Sequence, residues 1–321
     1  MARKIPRDTL ILDWTMNPSI QFNQSFSVLR NGYWYAPLKC AITQNRRVCL
    51  QAHGFFAAKK YDDAFGSAML LSGLDHPGGL LENGVLFTGN GNHWHYLIDG
   101  LANLTVDMFD NYDILYVDSE LSEDQLSFLK AYIQLLTSKD IKIQIVSGDI
   151  FALCNVCVPI NDMANSKISR LRQKLANINT GLGALGQSIV YVSRKNSRNR
   201  RVINESDLIE ELQKKWDVVS LLNEEMSLMR QLQCYRDAQI VIGPHGAGLT
   251  NLVFATDPRL LIELYCPPHQ IFFEGLAATI AAQYHSIQCQ PTSPDSDLVR
   301  KDDNDFIAPL SEVLSAMQAY S

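Results

Sequence analysis

What this sequence lacks narrows its class before any motif is read. No stretch approaches the ~18 consecutive apolar residues of a membrane-spanning helix. The early run Leu10-Ile-Leu12 is stopped at once by Asp13, so no signal peptide is expected. Cysteine is sparse: seven residues, an odd count, argue against a disulfide framework and for a reducing compartment. Cys154 and Cys157 form a C-x-x-C pair inside the apolar run Phe151–Val158, while Cys234, Cys266 and Cys289 each stand alone. No second pair completes a zinc ribbon, and the thiols read as core. An excess of positive charge is also missing. Lys plus Arg is 28 against 34 Asp plus Glu, a formal net charge of −6. That is the wrong balance for a protein coated by nucleic acid or anionic lipid, although it leaves room for a local basic site. Metal-type acidic spacing is confined to Asp295-Ser-Asp297 and Asp303-Asn-Asp305 in a polar tail, and Asp62-Asp63 are merely adjacent. No metal site is expected. The sequons at Asn23, Asn103 and Asn204 read as chance matches.

What is present is a globular composition, 46% hydrophobic and 19% charged over 321 residues, enough for about two domains. The first ~80 residues are irregular, with aromatic pieces such as Tyr33-Trp-Tyr35 and Phe55-Phe56 broken by Gly, Pro and Asn. From Gly84 onward short all-apolar strands alternate with helical periodicity. The strands are Val85–Phe87, Ile114–Val117, Ile141–Val146, Ser188–Ser193, Val218–Leu222, Gln239–Ile242, Leu260–Leu264 and Tyr284–Cys289. Such alternation predicts parallel sheets covered on both faces. Two runs of it predict two doubly wound α/β domains facing across a cleft. The expected division is a first domain over 1–160 and a second domain over 161–304. An amphipathic helix over 305–321 is expected to pack back on the first.

Ligands of open α/β sheets sit beyond the carboxyl ends of strands, where helix N-termini present free N–H groups. Three such ends carry unusual residues. Gly243-Pro-His-Gly-Ala-Gly-Leu-Thr-Asn251 follows a strand and opens a helix: Gly246 and Gly248 admit a close ligand, His245 sits in the turn, and Thr250 and Asn251 add donors. It fits neither the dinucleotide fingerprint nor the P-loop, and a tight structural turn is its bland alternative. The stretch Arg194–Arg201 holds five basic residues in eight positions; guanidinium forks suit phosphate, with Arg194 first and Arg198 and Lys195 weaker, against a solvated loop or a nucleic-acid patch. On a helix beginning near Asn92, His95 and Asp99 are four apart and share a face, which is either a general base with its orienting acid or a structural pair. Glu263, a charge inside an apolar strand, either receives ribose hydroxyls or serves a structural ion pair.

Taken together, Asn92-His-Trp-His-Tyr-Leu-Ile-Asp99, Tyr191-Val-Ser-Arg194, Arg201 with Asn204-Glu205, and Gly243–Asn251 followed by Ile262-Glu-Leu-Tyr265 resemble family 61 glycosyltransferases over roughly Gly84 to Pro267. His93 departs from the aromatic residue common at its position. The resemblance implies a GT-B fold, two Rossmann-like domains with the nucleotide-sugar, UDP-linked, held mainly by the second. It implies inversion at the anomeric carbon, no cofactor and no metal. A bacterial member is expected, cytoplasmic and at most peripheral at the membrane, acting on a glycan, a lipid-linked or a protein hydroxyl. On this view His95, Asp99, Arg194 and His245 are catalytic. Ser193, Lys195, Arg198, Gly246, Ala247, Gly248, Leu249, Thr250, Asn251 and Glu263 hold the donor. Two rivals stand beside it: another transferase on a similar scaffold, such as a polysaccharide pyruvyl transferase, and a nucleic-acid-binding module using the 194–201 cluster.

Overall fold

The computed structural model describes residues 11–13, 20–22, 26–43, 47–53, 74–159, 165–179, 186, 188–267, 273–292 and 304–320. The Phe55-Phe56 piece, Asp62-Asp63, the Asp295–Asp297 string and Asp303 lie outside these residues. The chain divides into two compact units, Met1–Lys167 and Ile168–Ser321.

The first unit is built on a ten-stranded mixed sheet. Its strands are β1 (Ile11–Asp13), β2 (Ile20–Phe22), β3 (Phe26–Tyr35), β4 (Cys40–Thr43), β5 (Arg47–His53), β6 (Leu80–Glu82), β7 (Val85–Phe87), β8 (Ile114–Val117), β9 (Lys142–Ile145) and β10 (Ile150–Pro159). They run in the order β1-β5-β4-β3-β10-β7-β8-β9, with β2 on β3 and β6 on β10. The expectation of a doubly wound domain needs correction here. β3 and β10, ten residues each, pair antiparallel from Ile150↔Tyr35 to Pro159↔Phe26, and β4 and β5 continue the antiparallel side. The parallel pairs are β10-β7-β8-β9, β6 on β10 and, at the far edge, β1 on β5. Trp34, Leu86, Tyr116, Phe151, Leu153 and Val156 pack into one core across both parts. Helix α1 (Glu123–Leu136) links β8 to β9. Ser122 and Gln125 close a capping box at its start, and Phe128, Leu129, Tyr132 and Ile133 are buried along it.

The second unit meets the expectation closely. After helix α2 (Asn165–Ala176) come β11 (Ile189–Val192), α3 (Glu205–Gln213), β12 (Val218–Leu221), α4 (Leu228–Arg236), β13 (Ile240–Pro244), a 3₁₀ helix (Ala247–Phe254), β14 (Leu260–Tyr265), α5 (Glu274–Thr279) and β15 (Gln283–Gln288). All five strands pair parallel in the order β12-β11-β13-β14-β15. Numbered within the unit this is 2-1-3-4-5, a doubly wound order whose direction of travel reverses between β11 and β13. The short pair β16 (Gln290–Pro291) and β17 (Phe306–Ile307) leads to α6 (Leu310–Gln318). This terminal helix corrects a second expectation. Val313, Ala316 and Met317 are buried in the same core as Ile189, Leu208, Leu212 and Ile287, so its apolar stripe is spent on the second unit rather than the first.

Candidate functional site

In the first unit the parallel strand β7 runs into Thr88–Asn92, and the Asn92 side chain accepts the Trp94 N–H at 3.0 Å, starting a helical segment where the spacing predicts one. The helix is not regular. Residues His95–Gly100 form a π turn, with the Leu101 N–H reaching Tyr96 O five residues back. Single π turns of this kind concentrate at functional sites. The Asp99 carbonyl accepts hydrogen bonds from Thr88 Oγ1 (2.5 Å) and Asn103 Nδ2 (2.6 Å). Gly89 and Gly100 let the two backbones touch: a Cβ on Gly89 would lie 2.9 Å from Gly100 Cα. The result is a side-chain pair. His95 Nδ1 donates to Asp99 Oδ2 at 2.5 Å, with Asp99 buried. With Nδ1 engaged by the carboxylate, Nε2 is the basic nitrogen of the ring. Tyr96 is buried, its hydroxyl donating to Gln125 O at 2.7 Å, and Trp94 is buried.

Beside this helix, at the carboxyl end of β8, sequence reasoning misses a second cluster. Asp118 accepts from Trp34 Nε1 (2.5 Å) and pairs with Lys39, whose ammonium also reaches Ser119 Oγ at 2.6 Å. Burial pushes the Lys39 ammonium below its ordinary range, and the Asp118 carboxylate opposes that shift. The only signal in the sequence is an aspartate directly after a buried strand.

In the second unit the strand ends at the reversal point carry Arg194 and His245. β11 ends at Val192, and Glu205, at the start of α3, draws the following turn inward. It accepts Ser193 Oγ at 2.7 Å and the Arg194 N–H at 3.4 Å. Ser193 is therefore tethered by Glu205, a contact that the sequence alone does not reveal. The Arg194 guanidinium bonds Asn199 O (3.3 Å) and lies against Gly246, whose missing side chain makes room for it. Lys195 and Arg198 are exposed, and Arg201 is bound to Asp305 through its Nη2 at 2.6 Å. The basic cluster is thus split among different partners. Asn204 does not cap α3; it clasps the Ala308 backbone through both its amide atoms.

His245 follows β13. Its N–H donates to Leu264 O at 2.8 Å and its ring meets Phe273 edge-on at 5.5 Å. Its Nδ1 donates to Glu263 Oε1, and Tyr284 donates to Glu263 Oε2 at 2.5 Å. Glu263 has no exposed surface, so the ribose alternative gives way to a structural pairing. Beyond Gly246 the chain enters a 3₁₀ helix, and only Ala247 and Gly248 keep partial exposure. Leu249, Thr250 and Asn251 are buried; Asn251 Nδ2 donates to Gln231 Oε1 at 2.8 Å. Asn251 thereby ties the 3₁₀ helix to α4, whereas the buried Thr250 Oγ1 has no hydrogen-bond partner among the described residues. Among the described residues no three His, Cys, Asp or Glu side chains gather as metal ligands, and no helix is long and apolar enough to cross a membrane.

A family model described as Glycosyltransferase 61 matches residues 93–262, more than half of the chain and inclusive of His95, Arg194 and His245. The chain belongs to this glycosyltransferase family. Similar proteins include an EGF domain-specific O-linked N-acetylglucosamine transferase of Drosophila melanogaster, 34% identical over 30% of this chain and 19% of that relative. A beta-1,2-xylosyltransferase of Oryza sativa subsp. japonica is 36% identical over 23% of this chain and 14% of its own length. Another, of Arabidopsis thaliana, is 35% identical over 22% and 14%. The chain matches less than a fifth of the length of each of these relatives. Within the glycosyltransferase 61 match fall both strand ends of the reversal point; Glu263 is the next residue after it, and Tyr284 lies outside.

Proposed function

We propose that this glycosyltransferase 61 chain moves a sugar, with inversion and without a metal, from a nucleotide-sugar donor to a hydroxyl of a glycan, lipid-linked or protein acceptor. The observation that carries the reading is the seating of the Arg194 guanidinium against Gly246 at the β11/β13 reversal, where doubly wound sheets bind their ligands. When the acceptor oxygen bonds to the anomeric carbon, the carbon–oxygen bond to the diphosphate breaks and its electron pair passes to the diphosphate. That charge needs fixed donors. Arg194, the backbone N–H groups at Ala247 and Gly248, and the Nε2–H of a doubly protonated His245 ring supply them, and Lys195 and Arg198 add an exposed positive rim. The acceptor's proton passes to Nε2 of His95, which Asp99 holds in the required tautomer.

The relatives' names contain N-acetylglucosamine and xylose, which makes UDP-N-acetylglucosamine and UDP-xylose the first donors to try. The test is release of nucleoside diphosphate from a nucleotide-sugar panel, paired with thermal shifts by UDP, GDP and CMP. UDP is expected to stabilise the protein at micromolar concentration, in the range usual for such substrates. Arg194→Ala is expected to lower turnover ~10²-fold, about 3 kcal/mol of lost transition-state stabilisation. A folded protein that binds none of the three nucleotides and splits no donor ends the proposal.

A further inference from the structure

Glu263 stands between two donors on neighbouring strands. Strand β14 lies between β13 and β15, and the register sets Glu263 beside Gly243 on one side and Ser286 on the other. His245 is two residues beyond Gly243, and Tyr284 two residues before Ser286. Side chains two apart on a strand share a face, so His245, Glu263 and Tyr284 form a diagonal across three adjacent strands on one side of the sheet. The two hydrogen bonds complete it, one to each carboxylate oxygen. A carboxylate with no exposed surface needs such donors to stay in place. The Tyr284 hydroxyl suits this role, because burial first, and its hydrogen bond to Glu263 second, push its pKa upward and keep it a proton donor.

We propose that Tyr284 is a positioning residue of the donor half-site: through Glu263 it fixes the His245 ring with Nδ1 donating to the carboxylate, so that Nε2, when it too carries a proton, faces the departing diphosphate and donates to it. The inference rests on the reading of this site given above. It adds a residue from β15, outside the segment that carries the family likeness.

The test uses the full chain labelled with ¹⁵N-histidine, the His245 ring being assigned by its loss in His245→Gln. Tyr284→Phe removes the donor to Oε2, concentrates charge on Oε1, and is expected to move the His245 Nδ1–H resonance downfield. Incorporation of 3-fluorotyrosine at position 284 keeps the ring and the hydroxyl but makes a stronger donor, and is expected to move it upfield. With a turned-over UDP-sugar, Tyr284→Phe is expected to lower kcat by ~10-fold, the lower end for loss of a supporting hydrogen bond, while KM stays within about threefold. A His245 resonance unmoved in both variants, or moved the same way in both, overturns the proposal, as does an unchanged kcat. If the two resonances move oppositely while wild type splits no nucleotide-sugar, the positioning role stands and the reading of the site as a sugar-donor site falls. The fluorinated protein keeps the test decisive should Tyr284→Phe fail to fold.

Discussion

The Arg194 guanidinium lies where a side chain on Gly246 would stand: a Cβ there would come within 2.5 Å of Nη1. The glycine is not required by its backbone, because φ of 164° is extended chain that any residue adopts. It is required by its neighbour. Gly246→Ala is therefore expected to leave the fold intact, since the obstructing atom is the end of a flexible side chain, and to push the guanidinium off its seat. Donor kcat/KM should fall ~10-fold, against ~10²-fold for Arg194→Ala. In the Arg194→Ala background, Gly246→Ala should cost nothing further, because contacting residues couple. Additive losses in that double-mutant cycle, read from kcat/KM, disconnect the glycine from the arginine.

Asp99 gives His95 one partner for Nδ1 and receives support of its own through its carbonyl, from Thr88 and Asn103. If His95 takes the acceptor's proton, His95→Ala should reduce transfer by ~10²- to 10⁴-fold, the usual share of general-base catalysis. Asp99→Asn should reduce kcat in the same direction with donor KM little altered, since it acts on the base and not on donor binding. Full transfer activity in His95→Ala places the base elsewhere. Both variants are read by initial rates with donor and acceptor at saturation and by nucleotide thermal shift, which should be unchanged.

The second unit is legible in the sequence because its strands are short, wholly apolar and separated by helices, a pattern with one common solution. The antiparallel half of the first unit is not. Its longest strand contains Arg30-Asn31-Gly32, which reads as a turn. In the structure Gly32 is instead a point of close approach, with no room for a Cβ beside Ile42 O at 2.6 Å, and the strand runs straight through it. Its partner β10 is more than a hundred residues away, so no local signal announces the pairing. At the site, Arg194, His245, His95 and Asp99 stand out because strand ends and helical spacing point to them. Glu205, Tyr284 and Asp118 do not, because each acts through a contact that only the folded sheet creates. Asn251 misleads for a related reason: position in a first turn does not tell which way a 3₁₀ helix faces it.

That inward turn makes Asn251 a stability residue. Its amide donates to Gln231, whose own amide donates to Asn223 O (2.9 Å) and Met226 O (3.0 Å), tying the 3₁₀ helix to the loop after β12. Asn251→Ala leaves the buried Gln231 oxygen short of that donor, a loss of about 1–3 kcal/mol. For a unit of this size the melting temperature should drop by roughly 2–4 °C per kcal/mol, with UDP affinity retained in the remaining folded protein. An unchanged melting temperature together with a large loss of UDP affinity would return Asn251 to the ligand.

Buried thiols give the protein an alkaline limit. Cys289 is 2% exposed, and burial foremost, with Cys266 beside it, pushes its pKa up to about 12. Cys157, Cys234 and Cys266 are shifted the same way, chiefly by burial. In the unfolded chain a thiol ionises near pH 8.5–9. The folded state therefore holds protons that the unfolded state releases, and stability is complete below about pH 9 and declines as pH rises toward 12. At pH 10 the Cys289 contribution alone is a loss of about 1.4–2 kcal/mol relative to neutral pH. Thermal melts from pH 8 to 10 should show a steady fall. Cys289→Ala, although less stable at pH 7 for want of the sulfur's packing, should show a shallower fall over the same interval. An identical slope in the two proteins means that the thiol is already ionised or solvated in the fold, and the tight β14–β15 edge around it would have to be redrawn.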